Sequence, residues 1–224
     1  DDTAAVANEV ERQDLGYPGG SQDSYGAARG GLNLLEYHQG GGMTPRTIEA
    51  TEEMLHELEE SSLLVFTGAA HVSGSIHDDI RRSYHEPGSK TLEAMFELRG
   101  EAGRMARALE AGDLEGYARA LGGSCRSLYN LHESCDSAEH RVVFEKLGGL
   151  ILAGKTCGAG GGGFLLLCAK PGRREECAAV VAELGAESWP FEFDFDGVSV
   201  TEEGAWAEEE IAGYRGLITG ESQG

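Results

Sequence analysis

Gly154-Lys155-Thr156-Cys157-Gly158-Ala159-Gly160-Gly161-Gly162-Gly163 is the stretch with the clearest chemical capacity, and it runs directly into Phe164-Leu165-Leu166-Leu167-Cys168-Ala169. Five of the six positions from 158 to 163 are glycine. Backbone without Cβ atoms takes positive φ freely and can turn several N–H groups toward one point, making a concavity suited to phosphate oxygens. The alternative, a flexible spacer, sits badly with an apolar run on one side, because spacers are flanked by Ser, Pro or charge.

Two phosphate-binding patterns match this region. Gly149 to Thr156 satisfies G-x-x-x-x-G-K-T, and Gly158, Gly160 and Gly163 satisfy G-x-G-x-x-G. Both patterns work between a strand and a helix whose N-terminus meets the phosphate. Here a strand-like run follows the glycines, and the intervening Leu150-Ile151-Leu152-Ala153 is too apolar for a phosphate-wrapping loop. Lys155 is therefore predicted not to act as a Walker-type lysine. Cys125, His132, Cys135 and His140 fall in a helical pattern without the paired C-x-x-C spacing of a zinc site.

The 224 residues carry 18 basic and 39 acidic side chains, a formal net charge of -21, with 40% hydrophobic content. Such a chain can bury a good core as one large domain or two small ones. Its negative field opposes non-specific binding to nucleic acid or an anionic membrane, so neither is expected as a partner. A small anionic ligand must then be held by local donors. Lys90, Lys146, Lys155 and Lys170 are the only lysines, a bias that suits a high-salt cytoplasm and equally a GC-rich genome. No run of about 18 apolar residues is present. Asp1-Asp2-Thr3 does not resemble a signal peptide, and five cysteines at irregular spacing suit free thiols in a reducing compartment. A cytoplasmic protein is expected.

The elements that must position the glycines can be read in order. Residues 1–13 place Ala4, Ala5, Val6 and Val10 at helical spacing, and Gly16 stops that helix near Leu15. The turn-rich loop 16–23 follows, residues 30–37 read as a strand, and Gly40-Gly41-Gly42 closes a hairpin-like turn. Residues 52–60 predict a short amphipathic helix, and 63–67 a strand ending at Gly68. A helical tract spans roughly 71–152, broken near Pro87-Gly88, Gly112 and Asp136. Ser89 is a cap within it, and Leu92, Met95, Phe96, Met105 and Leu109 supply an apolar stripe. Beyond the glycines, 164–169 reads as a buried strand, 173–184 as a helix, and Trp189 to Phe195 as an alternating strand before the turn Asp196-Gly197. Strands interleaved with helix clusters in this order argue for an α+β fold.

Three of these stretches together resemble the GHMP small-molecule kinases, a superfamily that includes galactokinase, homoserine kinase, mevalonate kinase and phosphomevalonate kinase. Residues 154–164 look like its third conserved motif. Pro18-Gly19-Gly20-Ser21-Gln22-Asp23 with residues 25–33, and the ending Pro190 to Gly197, are most similar to the D-glycero-D-manno-heptose 7-phosphate kinase branch and its sugar-kinase relatives. The resemblance covers nearly the whole chain. It implies that residues 1–55 are the C-terminal part of an N-terminal domain, residues 56–202 a ferredoxin-like C-terminal domain, and residues 203–224 an acidic tail. ATP and a sugar would lie in the cleft between the domains.

The same resemblance implies a transfer to a sugar hydroxyl that uses ATP and magnesium. Asp23 falls where these kinases carry the aspartate that takes the proton from the attacking hydroxyl, with Gly19, Gly20 and Gln22 as neighbouring substrate-binding positions. Glu11 falls where several of them carry a magnesium-binding glutamate. Gly158, Ala159, Gly160, Gly161, Gly162 and Gly163 would lie beside the nucleotide phosphates. Phosphoryl transfer asks mainly for positioning and charge neutralisation, so N–H donors, a divalent cation and one carboxylate form a sufficient kit.

This chain departs from the family pattern in places. Ser24 stands where relatives often carry Gln, and His71 where an Arg-like residue is expected after Thr67-Gly68. The superfamily's main ATP loop, a Gly-Leu-Gly-Ser-Ser type motif, does not occur in these residues. The expectation is a kinase fragment lacking upstream structure, with weak ATP binding, no turnover alone, and self-association through an exposed apolar face. The competing expectation is a catalytically silent binding or assembly module completed by a partner.

Overall fold

The computed structural model describes residues 2–16, 20–68 and 73–199. Helix α1 (Asp2–Glu9) continues as a single π-helical stretch, Val10–Asp14. Helix α2 (Gln22–Arg29) leads into an antiparallel hairpin of β1 (Asn33–Tyr37) and β2 (Met43–Thr47), with Asn33 opposite Thr47 and Tyr37 opposite Met43. Its turn is closed by the His38 N–H donating to the Gly42 carbonyl at 3.1 Å. Thr51 caps α3 (Glu52–Ser61) by accepting from the Met54 N–H, and that helix buries Met54 and Leu58.

Strand β3 (Ser62–Phe66) follows at once. Then come α4 (Ser73–His85), α5 (Thr91–Glu110) and α6 (Leu114–Tyr129), a 3-10 turn at Glu133–Cys135, and α7 (Ala138–Leu147). Strands β4 (Ile151–Thr156) and β5 (Phe164–Ala169), helix α8 (Arg174–Glu183) and strand β6 (Glu187–Trp189) complete the described elements. The larger sheet has the order β4-β5-β3-β6 and is antiparallel throughout.

The uninterrupted apolar run of β5 has a simple cause. Successive side chains of a strand point to opposite faces, so a strand covered on both sides needs apolar residues at every position. Leu165, Leu167 and Ala169 pack with Val143 and Leu147 of α7 and Val181 of α8. Cys168 and Leu166 join the opposite core of Met54, Leu58, Leu109, Tyr117 and Leu121. A third core gathers Ile76, Ile80, Ala94, Leu128, Leu131 and Cys135.

The α+β fold, the first helix, the 40–42 turn, the helix after residue 51 and the strands at 63–66 and 164–169 agree with the sequence reading. Five readings are corrected. Ile151 and Leu152 belong to β4 and not to the helical tract, because α7 ends at Leu147 and Gly148-Gly149 lets the chain turn into the sheet. The segment holding Asp23 is the start of α2 and not a loop, and the strand expected at 30–37 begins only at Asn33. Leu92 and Phe96 lie on the exposed side of α5, whose buried face is made mostly of alanines with Leu109. Residues 190–195 are not a strand: the alternating Phe191, Phe193 and Phe195 pack on one another edge to face and tilted, with neighbouring centroids 5.5 and 6.3 Å apart. The acidic stretch 203–224 lies outside the described residues.

That aromatic segment returns to the first part of the chain. The Gly31 N–H donates to the Asp194 carbonyl at 2.5 Å and the Val198 N–H to the Ala28 carbonyl at 3.3 Å. Gly30 and Gly197 meet there, each with positive φ, and a Cβ on Gly30 would stand 2.6 Å from the Gly197 nitrogen. Phe193 also packs against the core that holds Ile48 and Met54.

Candidate active site

The glycine stretch is the turn between β4 and β5, so no helix follows it. Lys155 pairs with Leu166 inside the sheet and its Nζ donates to the Thr156 carbonyl at 2.9 Å. This geometry removes both sequence patterns built on a helix N-terminus. The turn is closed at its base by the Cys157 N–H donating to the Phe164 carbonyl at 2.9 Å.

The turn has a fixed side and an open side. Gly161 donates its N–H to the Cys135 carbonyl at 2.9 Å, and a Cβ on Gly160 would stand 2.2 Å from that same oxygen. A Cβ on Gly161 would meet Ile76 Cδ1 at 2.6 Å. Ala159 packs on the core of Ile76 and Leu131. Gly158 is exposed, and neither it nor Gly163 has anything within 4 Å of where a Cβ would be. The expectation that the glycine N–H groups jointly face a ligand is thus corrected at Gly161, whose donor is spent on the protein.

Beneath the turn lies a line of polar groups that the sequence did not mark. Thr156 Oγ1 is 2.7 Å from the Tyr129 hydroxyl and 3.0 Å from His140 Nδ1. His140 and Thr156 are both fully buried. His140 Nε2 has no hydrogen-bond partner among the described residues, while the Gly163 main chain acts to raise the ring's pKa. Burial outweighs that, so the imidazole titrates below its usual value and is neutral near pH 7. Burial likewise pushes the Cys135 thiol up to about 11 and raises that of Cys157, so neither is a thiolate nucleophile. Among the described residues no group of three or more His, Cys, Asp and Glu side chains is placed to hold a metal by itself.

Asp23 and Gln22 are exposed in the first turn of α2, and Gly20 is exposed just before it. Glu11 is exposed on the π-helical stretch, a geometry often found at functional sites. Helices α1 and α2 touch, and Glu11 lies on the π-helical continuation of α1, one element removed from that contact. No hydrogen bond or ion pair engages either carboxylate among the described residues. Ser21, ahead of Asp23, bonds Tyr37 through its hydroxyl at 2.9 Å. Gly19 and His71 lie outside the described residues. A groove of about 1000 Å³ lined by Arg104, Arg107, Arg126, Tyr129, Phe144 and Gly154 includes none of the glycines 158–163.

An antiparallel sheet flanked by helices, with a glycine turn at its end, is the architecture of the GHMP kinases, and solved structures of that group superpose on this chain. A galactokinase from Lactococcus lactis matches with a TM-score of 0.62 at 13% identity, covering 86% of this chain and 60% of that one, which speaks for the fold alone. Nearer in sequence is the structure of a D-glycero-D-manno-heptose 1-phosphate kinase from Bacteroides thetaiotaomicron. It shares 28% identity and a TM-score of 0.64 over 89% of this chain and 55% of that one. Among curated proteins, the D-glycero-alpha-D-manno-heptose 7-phosphate kinase of Campylobacter jejuni is 29% identical over 196 residues. That match covers 87% of this chain and 57% of the relative, so the chain spans little more than half the length of the kinase it matches. No family model matches. No described helix is long and apolar enough to cross a membrane.

Proposed function

We propose that the protein carrying this chain transfers the γ-phosphoryl group of ATP to a hydroxyl of a sugar or sugar phosphate, with a heptose phosphate as the substrate class. The observation that carries this reading is the 29% identity to a heptose 7-phosphate kinase over nearly nine-tenths of the chain. The conformation of the glycine turn supports it, with one side pinned and the other open to a ligand. In this reading residues 1–55 and 56–202 contribute to two domains, with the nucleotide and sugar between them, in a soluble cytoplasmic protein.

Asp23 accepts the proton of the attacking sugar hydroxyl. That oxygen bonds to the γ-phosphorus as the bond to the β–γ bridging oxygen breaks and ADP departs. Gly19, Gly20 and Gln22, beside Asp23 in the chain, bind the sugar. The exposed edge of the 158–163 turn lies against the phosphates. An exposed carboxylate without an ion-pair partner among the described residues is a hard oxygen donor, so Glu11 fits magnesium, which binds through one or two carboxylates with water and phosphate oxygens. Bound there, magnesium would neutralise charge on the phosphate oxygens.

The test is sugar-dependent release of ADP from ATP and magnesium by the native-length protein. Substrates are heptose 7-phosphate, heptose 1-phosphate, galactose and fucose, with products assigned by 31P NMR. Turnover with a heptose phosphate above all others is expected. Absence of sugar-dependent ADP with every one of them would defeat the reading.

A further inference from the structure

In a chain whose acidic side chains outnumber its basic ones by 39 to 18, a local excess of cations is against the composition and asks for a reason. The groove of about 1000 Å³ beside α5, α6 and β4 has such an excess: Arg104, Arg107, Arg119 and Arg126 line it, against Glu101 and Asp113. Pairing inside the protein decides which of these charges are left over. Arg104 is engaged by both oxygens of Glu101, its Nε donating at 2.9 Å and its Nη2 lying at 2.8 Å. Arg119 lies 3.4 Å from Asp113 and 3.4 Å from Glu115. Arg107 and Arg126 make no ion pair or hydrogen bond among the described residues.

Glycines position these two heads. Arg107 Nη1 lies 3.5 Å from where a Cβ on Gly103 would stand, and Arg126 Nη1 lies 3.5 Å from where one on Gly122 would stand. Each side chain thus folds back over the glycine four residues before it, and its guanidinium lies along its own helix at the groove. A glycine inside a helix costs about 1 kcal/mol relative to alanine, and here the space it leaves receives the arginine. A guanidinium offers a planar fork of donors that matches two oxygens of a phosphate. Two uncompensated positive charges also match a phosphate monoester, which carries about two negative charges near pH 7. Tyr129 and Phe144 bring aromatic surface to the same groove, and its volume suits a small molecule. Residues 151–154 of β4 line it but none of 158–163 does, so it is a separate place from the glycine turn.

We propose that this groove is a second binding site, for a phosphorylated small molecule bearing a ring, with Arg107 and Arg126 holding the phosphate oxygens and Tyr129 and Phe144 flanking the ring. A nucleotide and a sugar phosphate share that chemistry. The site does not depend on the kinase reading above, because it uses neither the glycine turn nor Asp23.

The test follows the arginine Nε–Hε signals of the 15N-arginine-labelled, native-length protein by 1H–15N NMR, without magnesium. The titrants are ADP, glucose 6-phosphate and inorganic pyrophosphate, with sodium chloride at matched ionic strength as the control. The Arg107 and Arg126 signals are assigned by their loss in Arg107→Gln and Arg126→Gln; both side chains are exposed, so these variants should fold. Saturable shifts of both signals are expected with ADP or glucose 6-phosphate at a Kd below about 1 mM, and the tighter of the two identifies the source. Arg126→Gln should weaken binding by about tenfold or more, as loss of a charge-assisted fork requires. Arg119→Gln, whose charge is already paired, should weaken it by less than about threefold. ADP that binds elsewhere and leaves both signals unmoved, with glucose 6-phosphate also without effect, overturns the site. So do shifts that chloride reproduces, shifts with pyrophosphate alone, or equal losses in Arg119→Gln and Arg126→Gln. A protein that shows the expected shifts but no turnover refutes the kinase reading and leaves this site standing.

Discussion

Gly161 and Cys135, 26 residues apart, are joined by a main-chain hydrogen bond of 2.9 Å that ties the glycine turn to the 3-10 turn after α6. Gly161 has φ +74 and is buried, so a substituent there meets both backbone strain and the Ile76 side chain.

Gly161→Ala is expected to cost about 3 kcal/mol or more, combining positive-φ strain with overpacking. Gly158→Ala meets only the strain of φ +65, in open space, and should cost about 1 kcal/mol. Calorimetry should show Tm falling by about 8 °C in the first and about 3 °C in the second. Equal losses would mean that the pinned and open sides of the turn are not distinct.

Asp23 and Glu11 should separate by kinetics in the native-length protein. Asp23→Asn keeps the shape and removes the base, so kcat should fall by about a hundredfold or more with little change in ATP KM. Glu11→Gln should raise the magnesium concentration for half-maximal rate and recover in excess metal. Near-normal kcat in Asp23→Asn would make that residue structural.

Lys155, paired with Leu166 near the end of β4, bonds its own neighbour's carbonyl. Lys155→Ala should therefore leave phosphoryl transfer within about fivefold of wild type. A loss of about a thousandfold would restore a phosphate-binding role.

His140 couples stability to pH. Its folded pKa is depressed below about 6.5, so the unfolded chain takes up this proton first as acid is added. Its contribution is intact above about pH 6.5 and is lost as pH falls toward the folded pKa, by at most about 1.4 kcal/mol per pH unit. Urea midpoints between pH 7 and 5.5 should fall more steeply for wild type than for His140→Gln. Parallel slopes would argue that the ring is not buried as described.

The two central strands, β3 and β5, were legible because their signal is local. Residues 164–169 are apolar at every position, and that run, with its short length and flanking glycines, argued for a strand after the glycine stretch. Helix α2 was not legible: it is eight residues long, contains Gly26 and buries no residue, so turn formers at 18–23 dominated the reading. The alternation of Phe191, Phe193 and Phe195 has the period of a strand, yet it serves packing against a distant part of the chain, and no local rule separates the two. Asp23 and Glu11 drew notice only through resemblance. The partners of His140 were invisible for a further reason: Tyr129, His140 and Thr156 sit on a helix, another helix and a strand, and only packing makes them neighbours.

The closure of Gly30-Gly31 against residues 194–198 bears on synthesis. On the ribosome, α2 and the first hairpin emerge some 165 residues before the segment that completes them. At about 5 to 20 residues per second that is a wait on the order of ten seconds. Leu32, Leu34 and Ile48 gain mates on α5 and α6 part-way through it, but lack Phe193 until its end. The early segment is then a natural client for a chaperone, and the last aromatic stretch acts as the latch that ends its exposure.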